Sequence, residues 1–148
     1  YYHFSSKEEI FNFLVEEGMK LLKNSIQIKT AKLDNSIDKI KAIILIQIKV
    51  IKKYENLITI VLSQIWGTEE RNTNCRRYVM DYIKTVEEII KEGIKKQELI
   101  EMDSEVLASE IFASTCTSLI YKMKTNQEID IKKMYTELET SVIKGIKR

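Results

Sequence analysis

No proline occurs anywhere in the 148 residues, and there are only four glycines, Gly18, Gly67, Gly93 and Gly145. Proline and glycine stop helices and shape tight turns, so a chain this poor in both changes direction seldom. That excludes a turn-rich β-sandwich, which needs turn residues about every 8–12 positions. The apolar spacing agrees, being helical nearly everywhere.

Six helices can be drawn from that spacing. The first starts after Ser5 or Ser6, where Ser6 and Glu9 form a capping box. Ile10, Phe13, Leu14, Glu17 and Leu21 follow down one face, with Gly18 inside the helix. A glycine there costs about 1 kcal/mol against alanine, unless it lets a neighbour approach closely. Residues 29–35 break the pattern. The second helix starts near Ser36, with Ile37, Ile40, Ile44, Ile48 and Ile51 in one stripe. Ile43, Ile46, Val50 and Tyr54 widen the stripe, which predicts a central helix. A short helix over about 55–66 ends at Trp66, with Gly67 as its expected C-cap. Thr68, Glu69 and Glu70 start the fourth helix, whose buried stripe runs from Val79 to Ile94. Asp103 caps the fifth and Asp130 the sixth. The fold class is therefore all-α, a six-helix bundle with short connectors, no strand and no internal repeat.

At 44% apolar and this length, the chain fits one domain with a real core. Its longest unbroken apolar run, Ala42–Ile46, is far short of the roughly 20 residues a spanning helix needs. No signal-peptide pattern is present, and two cysteines, Cys75 and Cys116, make no disulfide framework. A reduced cytoplasmic compartment and no membrane partner are the expectation. Net charge is +2, from 24 basic and 22 acidic side chains, too balanced to be a nucleic-acid footprint by itself. Twenty of the basic residues are lysine, and isoleucine is abundant, a bias that reads as coding composition.

Little in the chain carries catalytic chemistry. His3 is the one histidine, and no CxxC or HExxH spacing or glycine-rich phosphate loop occurs. A Cys–His pair would need His3 to reach Cys75 or Cys116. Carboxylates lie mostly beside lysines on helix faces, as on a solvated surface. No metal, cofactor or enzyme activity is expected.

The chain opens at Tyr1, without Met, and its first seven residues read YYHFSSK before EEIF and a long helix. This resembles the junction of TetR-type transcriptional regulators, where a DNA-recognition helix ends and the first helix of the regulatory domain begins. The match covers Tyr1, Tyr2, His3, Phe4 and Lys7, and Glu8–Phe11 continues in the family's style. Glu92–Phe112 (EGIKKQELIEMDSEVLASEIF) is similar to the segment entering the family's penultimate helix.

The resemblance implies a division into residues 1–7, the end of the recognition helix and junction, and 8–148, a ligand-binding and dimerisation domain. The rest of the helix-turn-helix head would lie upstream. Tyr1, Tyr2, His3 and Lys7 would contact DNA phosphates, positioning the reader without specifying sequence. Operator DNA would be a partner only with the full head present. A small, mostly apolar effector would sit in the bundle. Its candidate wall is Phe13, Glu17, Ile44, Ile48, Tyr54, Trp66, Tyr78, Tyr82, Phe112 and Cys116, aromatics suiting an apolar cavity with a few polar handles. Each of these residues also reads as ordinary core. The last two helices would pair with their copies in a homodimer, through Ile111, Leu119, Met134, Tyr135, Leu138, Val142 and Ile146. The same stripe serves equally as intramolecular core. Small residues of the fifth helix, Ala108, Ser109, Ala113, Ser114, Thr115, Thr117 and Ser118, would allow close approach or leave room for a ligand.

The function that follows is effector control of operator binding through the first helix, in a repressor. Two alternatives stand beside it. The three N-terminal aromatics could plug a hydrophobic edge, and the whole could be a helical interaction module with neither ligand nor reading head.

Overall fold

Every helix but α3 starts at a cap written in the sequence. The computed structural model describes residues 3–148. It contains α1 (Lys7–Thr30), α2 (Ser36–Lys53), α3 (Glu55–Gln64), α4 (Glu70–Lys95), α5 (Ser104–Lys124) and α6 (Ile131–Ile146). Ser6 Oγ accepts from the Glu9 N–H at 3.1 Å. Asn35 accepts from the Ile37 and Asp38 N–H groups at 2.8 and 3.3 Å. Asp103 takes those of Glu105 and Val106, and Asp130 that of Lys133. Each cap satisfies N–H groups that a helix start otherwise leaves without partners.

Two local expectations need correction. The Glu9 carboxylate accepts from the Ser5 N–H at 2.7 Å and from the Ser5 hydroxyl, one residue beyond the position a capping box would use. Gly67 does not cap α3. Ile65 does, in a right-handed conformation, and no described glycine has positive φ. Gly67 is needed for space instead, since a Cβ there would lie 2.2 Å from Asn72 Oδ1. The left-handed residues are Gln97 and Asn126, just after α4 and α5.

α2 is the central helix, packed against α1, α3, α4, α5 and α6. Ile40, Ile43, Ile44, Ile48 and Ile51 are at most 1% exposed, each burial stabilising by about 1.5–3 kcal/mol. α1 and α4 run parallel, because Glu8 meets Arg71 at one end and Lys23 meets Asp81 further along. α2 returns antiparallel to both, so Ser36 lies by Gly93 and Glu98 at the opposite end. There the Ile100 N–H donates to the Ile146 carbonyl at 3.0 Å, and Leu99 forms an isolated antiparallel bridge with Lys147. The C-terminal end of α6 is thereby tied to the α4–α5 connector. No strand forms among the described residues.

Candidate functional site

Three helices meet in a buried polar cluster. The Tyr82 hydroxyl on α4 donates to Gln47 Oε1 on α2. Gln47 Nε2 donates to Thr115 Oγ1 at 2.9 Å and to the Ile111 carbonyl at 3.1 Å, both on α5. Thr115 Oγ1 donates in turn to the Ile111 carbonyl at 2.9 Å. Tyr82, Gln47 and Thr115 are at most 1% exposed. Polar side chains so deep are tolerated only when they satisfy one another, and this cluster does. The Phe112 ring packs on Tyr82 with centroids 5.4 Å apart. Burial drives the Tyr82 phenol well above its ordinary pKa and the adjacent Cys116 thiol up to about 12. Both stay protonated at neutral pH, so neither is a nucleophile there.

A second feature lies between α1, α2 and α3. Val15, Gly18, Met19, Leu22, Val50, Tyr54, Leu57, Ile58 and Val61 wall an apolar recess of about 10 Å³. Gly18 brings α1 against α3, since a Cβ on it would lie 3.1 Å from Leu57 Cδ2. Across Met19, the α1–α4 surface opens into a charged groove of about 280 Å³ lined by Glu16, Lys20, Arg77, Tyr78 and Asp81. Lys20 pairs with Glu16 at 2.9 Å and holds that carboxyl below its ordinary pKa. Arg77 lies over the Tyr78 ring.

At the end where α1 and α4 begin, the α3–α4 corner is knotted by side chains. Arg76 donates to the Ile65 and Gly67 carbonyls at 2.7 and 3.2 Å, a cation on the C-terminal end of α3. Gln64 Oε1 accepts from Arg71 and from Asn72, both at 2.9 Å. Arg71 also pairs with Glu8 at 3.7 Å and lies over the Phe11 ring at 5.4 Å. Phe4, ahead of α1, packs its ring 5.3 Å from that of Phe13. His3 and Lys7 are exposed at this end.

No protein-family model matches the chain, and no curated protein matches it in sequence. Solved structures do match. A TetR/AcrR-family transcriptional regulator from Thermobifida fusca superposes with a TM-score of 0.73, covering 98% of this chain and 77% of its own, at 16% identity. The Bacillus subtilis transcriptional regulator FadR, solved in complex with stearoyl-CoA, gives 0.84 at 18% identity, covering 96% and 77%. At those identities the likeness is of fold. A Clostridium perfringens protein named as a candidate fatty acid metabolism regulator is 30% identical, with a TM-score of 0.91, covering 98% of this chain and 79% of its own. The chain belongs to the TetR family of transcriptional regulators.

In this TetR-family fold, Tyr82, Phe112 and Cys116 gather around the buried cluster, with Ile44 and Ile48 flanking Gln47 on α2. Tyr54 lies instead on the wall of the α1–α2–α3 recess, and Tyr78 in the charged groove outside it. Phe13 packs on Phe4 at the start of α1, and Glu17 is exposed. Trp66 is 76% exposed beyond the end of α3, away from both clusters. The ten residues therefore do not line one space.

The dimer residues also divide. Ile111, Leu119, Met134, Val142 and Ile146 are buried within the one chain, while Tyr135 and Leu138 are half-buried. A helix buries one stripe and presents the other, and the outer stripe of α5 is Val106, Ser109, Ala113, Thr117 and Tyr121. Of the small residues on α5, Ala108 and Thr115 are buried. Tyr1 and Tyr2 lie outside the described residues.

Sequence reasoning missed Gln47 and most of the recess wall: Val15, Met19, Leu22, Leu57, Ile58 and Val61. Gln47 had a signal: it is the one polar residue inside the isoleucine stripe of α2. Among the described residues no group of three His, Cys, Asp or Glu side chains is placed to hold a metal ion. No helix among them is long and apolar enough to cross a membrane.

Proposed function

We propose that this chain is the effector-binding and dimerisation domain of a TetR-type repressor, and that its effector carries a long acyl chain. The observation that carries this reading is the apolar recess between α1, α2 and α3 in a chain 30% identical to a protein named for fatty acid metabolism regulation. The stearoyl-CoA bound to the Bacillus subtilis FadR supports the same class of ligand. A space of about 10 Å³ holds one water at most. An acyl chain exceeds it many times over, so binding must part α1 from α3. The present arrangement is then the effector-free one. An effector that binds only the parted form shifts the population toward it, and α1 carries the shift to residues 1–7. Those residues would be the junction to a DNA-binding head, with His3, Lys7, Tyr1 and Tyr2 on phosphates, and residues 8–148 the regulatory domain. The compartment is the cytoplasm.

The second copy in the homodimer packs on the outer stripe of α5, whose small residues allow close approach of helices. Calorimetric titration of the chain with stearoyl-CoA tests the effector. Binding at about 10 μM or tighter, with none by coenzyme A alone, is expected. A flat stearoyl-CoA titration overturns the acyl reading. Saturating stearoyl-CoA that left operator affinity of the head-bearing protein unchanged would refute the control mechanism.

A further inference from the structure

Three of the four arginines, Arg71, Arg76 and Arg77, fall in the first turns of α4, in a chain whose other basic residues are lysines apart from Arg148 and His3. Arg71 is the one that joins three helices. Its Nη2 donates to Gln64 Oε1 at the end of α3, and its Nη1 faces the Glu8 carboxylate at 3.7 Å in the first turn of α1. Its guanidinium covers the Phe11 ring one turn further along α1. A planar guanidinium can hold two acceptors in fixed directions at once, which a lysine ammonium on a flexible stem cannot do with the same geometry.

The arms of this joint differ in what they rest on. α3 supplies Leu57, Ile58 and Val61 to the recess and ends on Gln64, whose amide oxygen is fixed by Arg71 and Asn72 together. Asn72 is 6% exposed, and its side chain fills the space that Gly67 leaves open. Gln64 therefore cannot move without moving the start of α4. The α1 arm is looser: an ion pair at 3.7 Å with a half-exposed Glu8. Two polar atoms buried at this end have no hydrogen-bond partner, Arg71 Nε on α4 and Asn12 Oδ1 on α1.

We infer that Arg71 is the coupling residue of this domain: it transmits displacement of α3 at the recess to the first turns of α1. The inference rests on the effector reading above for what displaces α3, but not for the joint itself. Parting α1 from α3 pulls Gln64, and Arg71 follows it, so the Glu8 and Phe11 contacts break or re-form one turn away. Arg71 is a positioning residue here, touching neither effector nor DNA.

Hydrogen exchange of the full chain tests this in two arms. Without ligand, Arg71→Gln should speed exchange of the Asn12–Val15 amides about three- to tenfold, the size expected for losing one ordinary net hydrogen bond, while α5 and α6 keep their protection. Gln64→Ala should do the same, and the double variant should add nothing further. Unchanged Asn12–Val15 exchange in Arg71→Gln, or additive effects of the two substitutions, overturns the inference. With stearoyl-CoA, the native chain should change exchange in both α3 and the start of α1. In Arg71→Lys, which keeps the charge beside Glu8, α3 should respond and the start of α1 should not. An undiminished response at α1 in Arg71→Lys overturns the inference. If stearoyl-CoA changes nothing in the native chain, the acyl reading fails, and the ligand-free arm alone decides the role of Arg71.

Discussion

Tyr82 and Gln47 share a hydrogen bond across the middle of the bundle, and neither side chain is exposed to water. Removing one partner leaves the other with its desolvation cost and no compensation. Tyr82→Phe should therefore destabilise by about 1–3 kcal/mol. Adding Gln47→Leu removes the stranded oxygen, while Thr115 keeps its bond to the Ile111 carbonyl. The double variant should lose less than the sum of the single ones, measured by urea unfolding. Strictly additive losses would show that the two groups are not coupled.

Alkaline pH should weaken the fold through three groups. Burial raises the Tyr82 phenol well above its usual pKa of 10.0, and raises the thiols of Cys75 and Cys116 from 9.0 to about 11 and about 12. In each case the folded state holds its proton longer than the unfolded state does. The stabilising contribution is thus complete below the ordinary values and is lost as pH climbs through them toward the folded ones. Urea midpoints should fall steadily above about pH 9. A flat profile to about pH 11 would contradict the burial of these groups.

The same burial predicts silent thiols. At about pH 8, a disulfide reagent should modify Cys75 and Cys116 no faster than the chain opens, since the thiolate is the reacting form. Modification rates should track urea concentration through the opening equilibrium. Fast labelling in native buffer would mean that one thiol reaches solvent in the folded state.

Glycine-to-alanine changes should have opposite signs at two positions. Gly93 is buried where a Cβ would lie 2.7 Å from Leu99 Cδ1 and 2.8 Å from Ser36 Cβ, so Gly93→Ala should cost roughly 1–3 kcal/mol as overpacking. Gly145, inside α6, has nothing within 4 Å of that position, and Gly145→Ala should gain up to about 1 kcal/mol of helix propensity. Thermal unfolding of both variants decides the matter.

Ala113 sits mid-way along the outer stripe of α5 and is exposed in the single chain. If that stripe is the seat of the second copy, Ala113→Glu places a charge in a close helix contact and should convert a sedimenting dimer to monomer. Folding should be unaffected, because the substitution touches no intramolecular core. A variant that stayed dimeric would move the interface elsewhere.

Much of the fold was legible because its signals are local. Ser6, Asp103 and Asp130 act on neighbours two or three residues away, and the isoleucine period of α2 is a property of one helix. The boundaries of α5 and α6 follow from the expected Asp103 and Asp130 caps for the same reason. Gly67 misled because its role depends on Asn72, which is brought against it only by the α3–α4 corner. Legibility fell further at the site. Periodicity marks Tyr82, Tyr54 and Trp66 alike as large side chains on helices. Only packing separates the buried cluster, the recess wall and open solvent, where they respectively lie. For the dimer the period marks only the more apolar stripe, which the chain buries largely within itself, and it carries no signal for which exposed face a second copy would take.

α1 can also be considered as a lever. It is 24 residues long, about 36 Å at 1.5 Å per residue, and its far end is held by buried Thr30 and the turn into α2. A tilt of about 5° around Thr30 would carry Lys7 sideways by roughly 3 Å, close to the rise of two helical residues. The recess wall at Val15 and Met19 lies between pivot and tip. A wedge entering there is magnified at the tip by the ratio of their distances from Thr30, which from residue spacing alone is about 2 for Met19. The length of one helix therefore sets how far the junction moves for a given swelling of the recess.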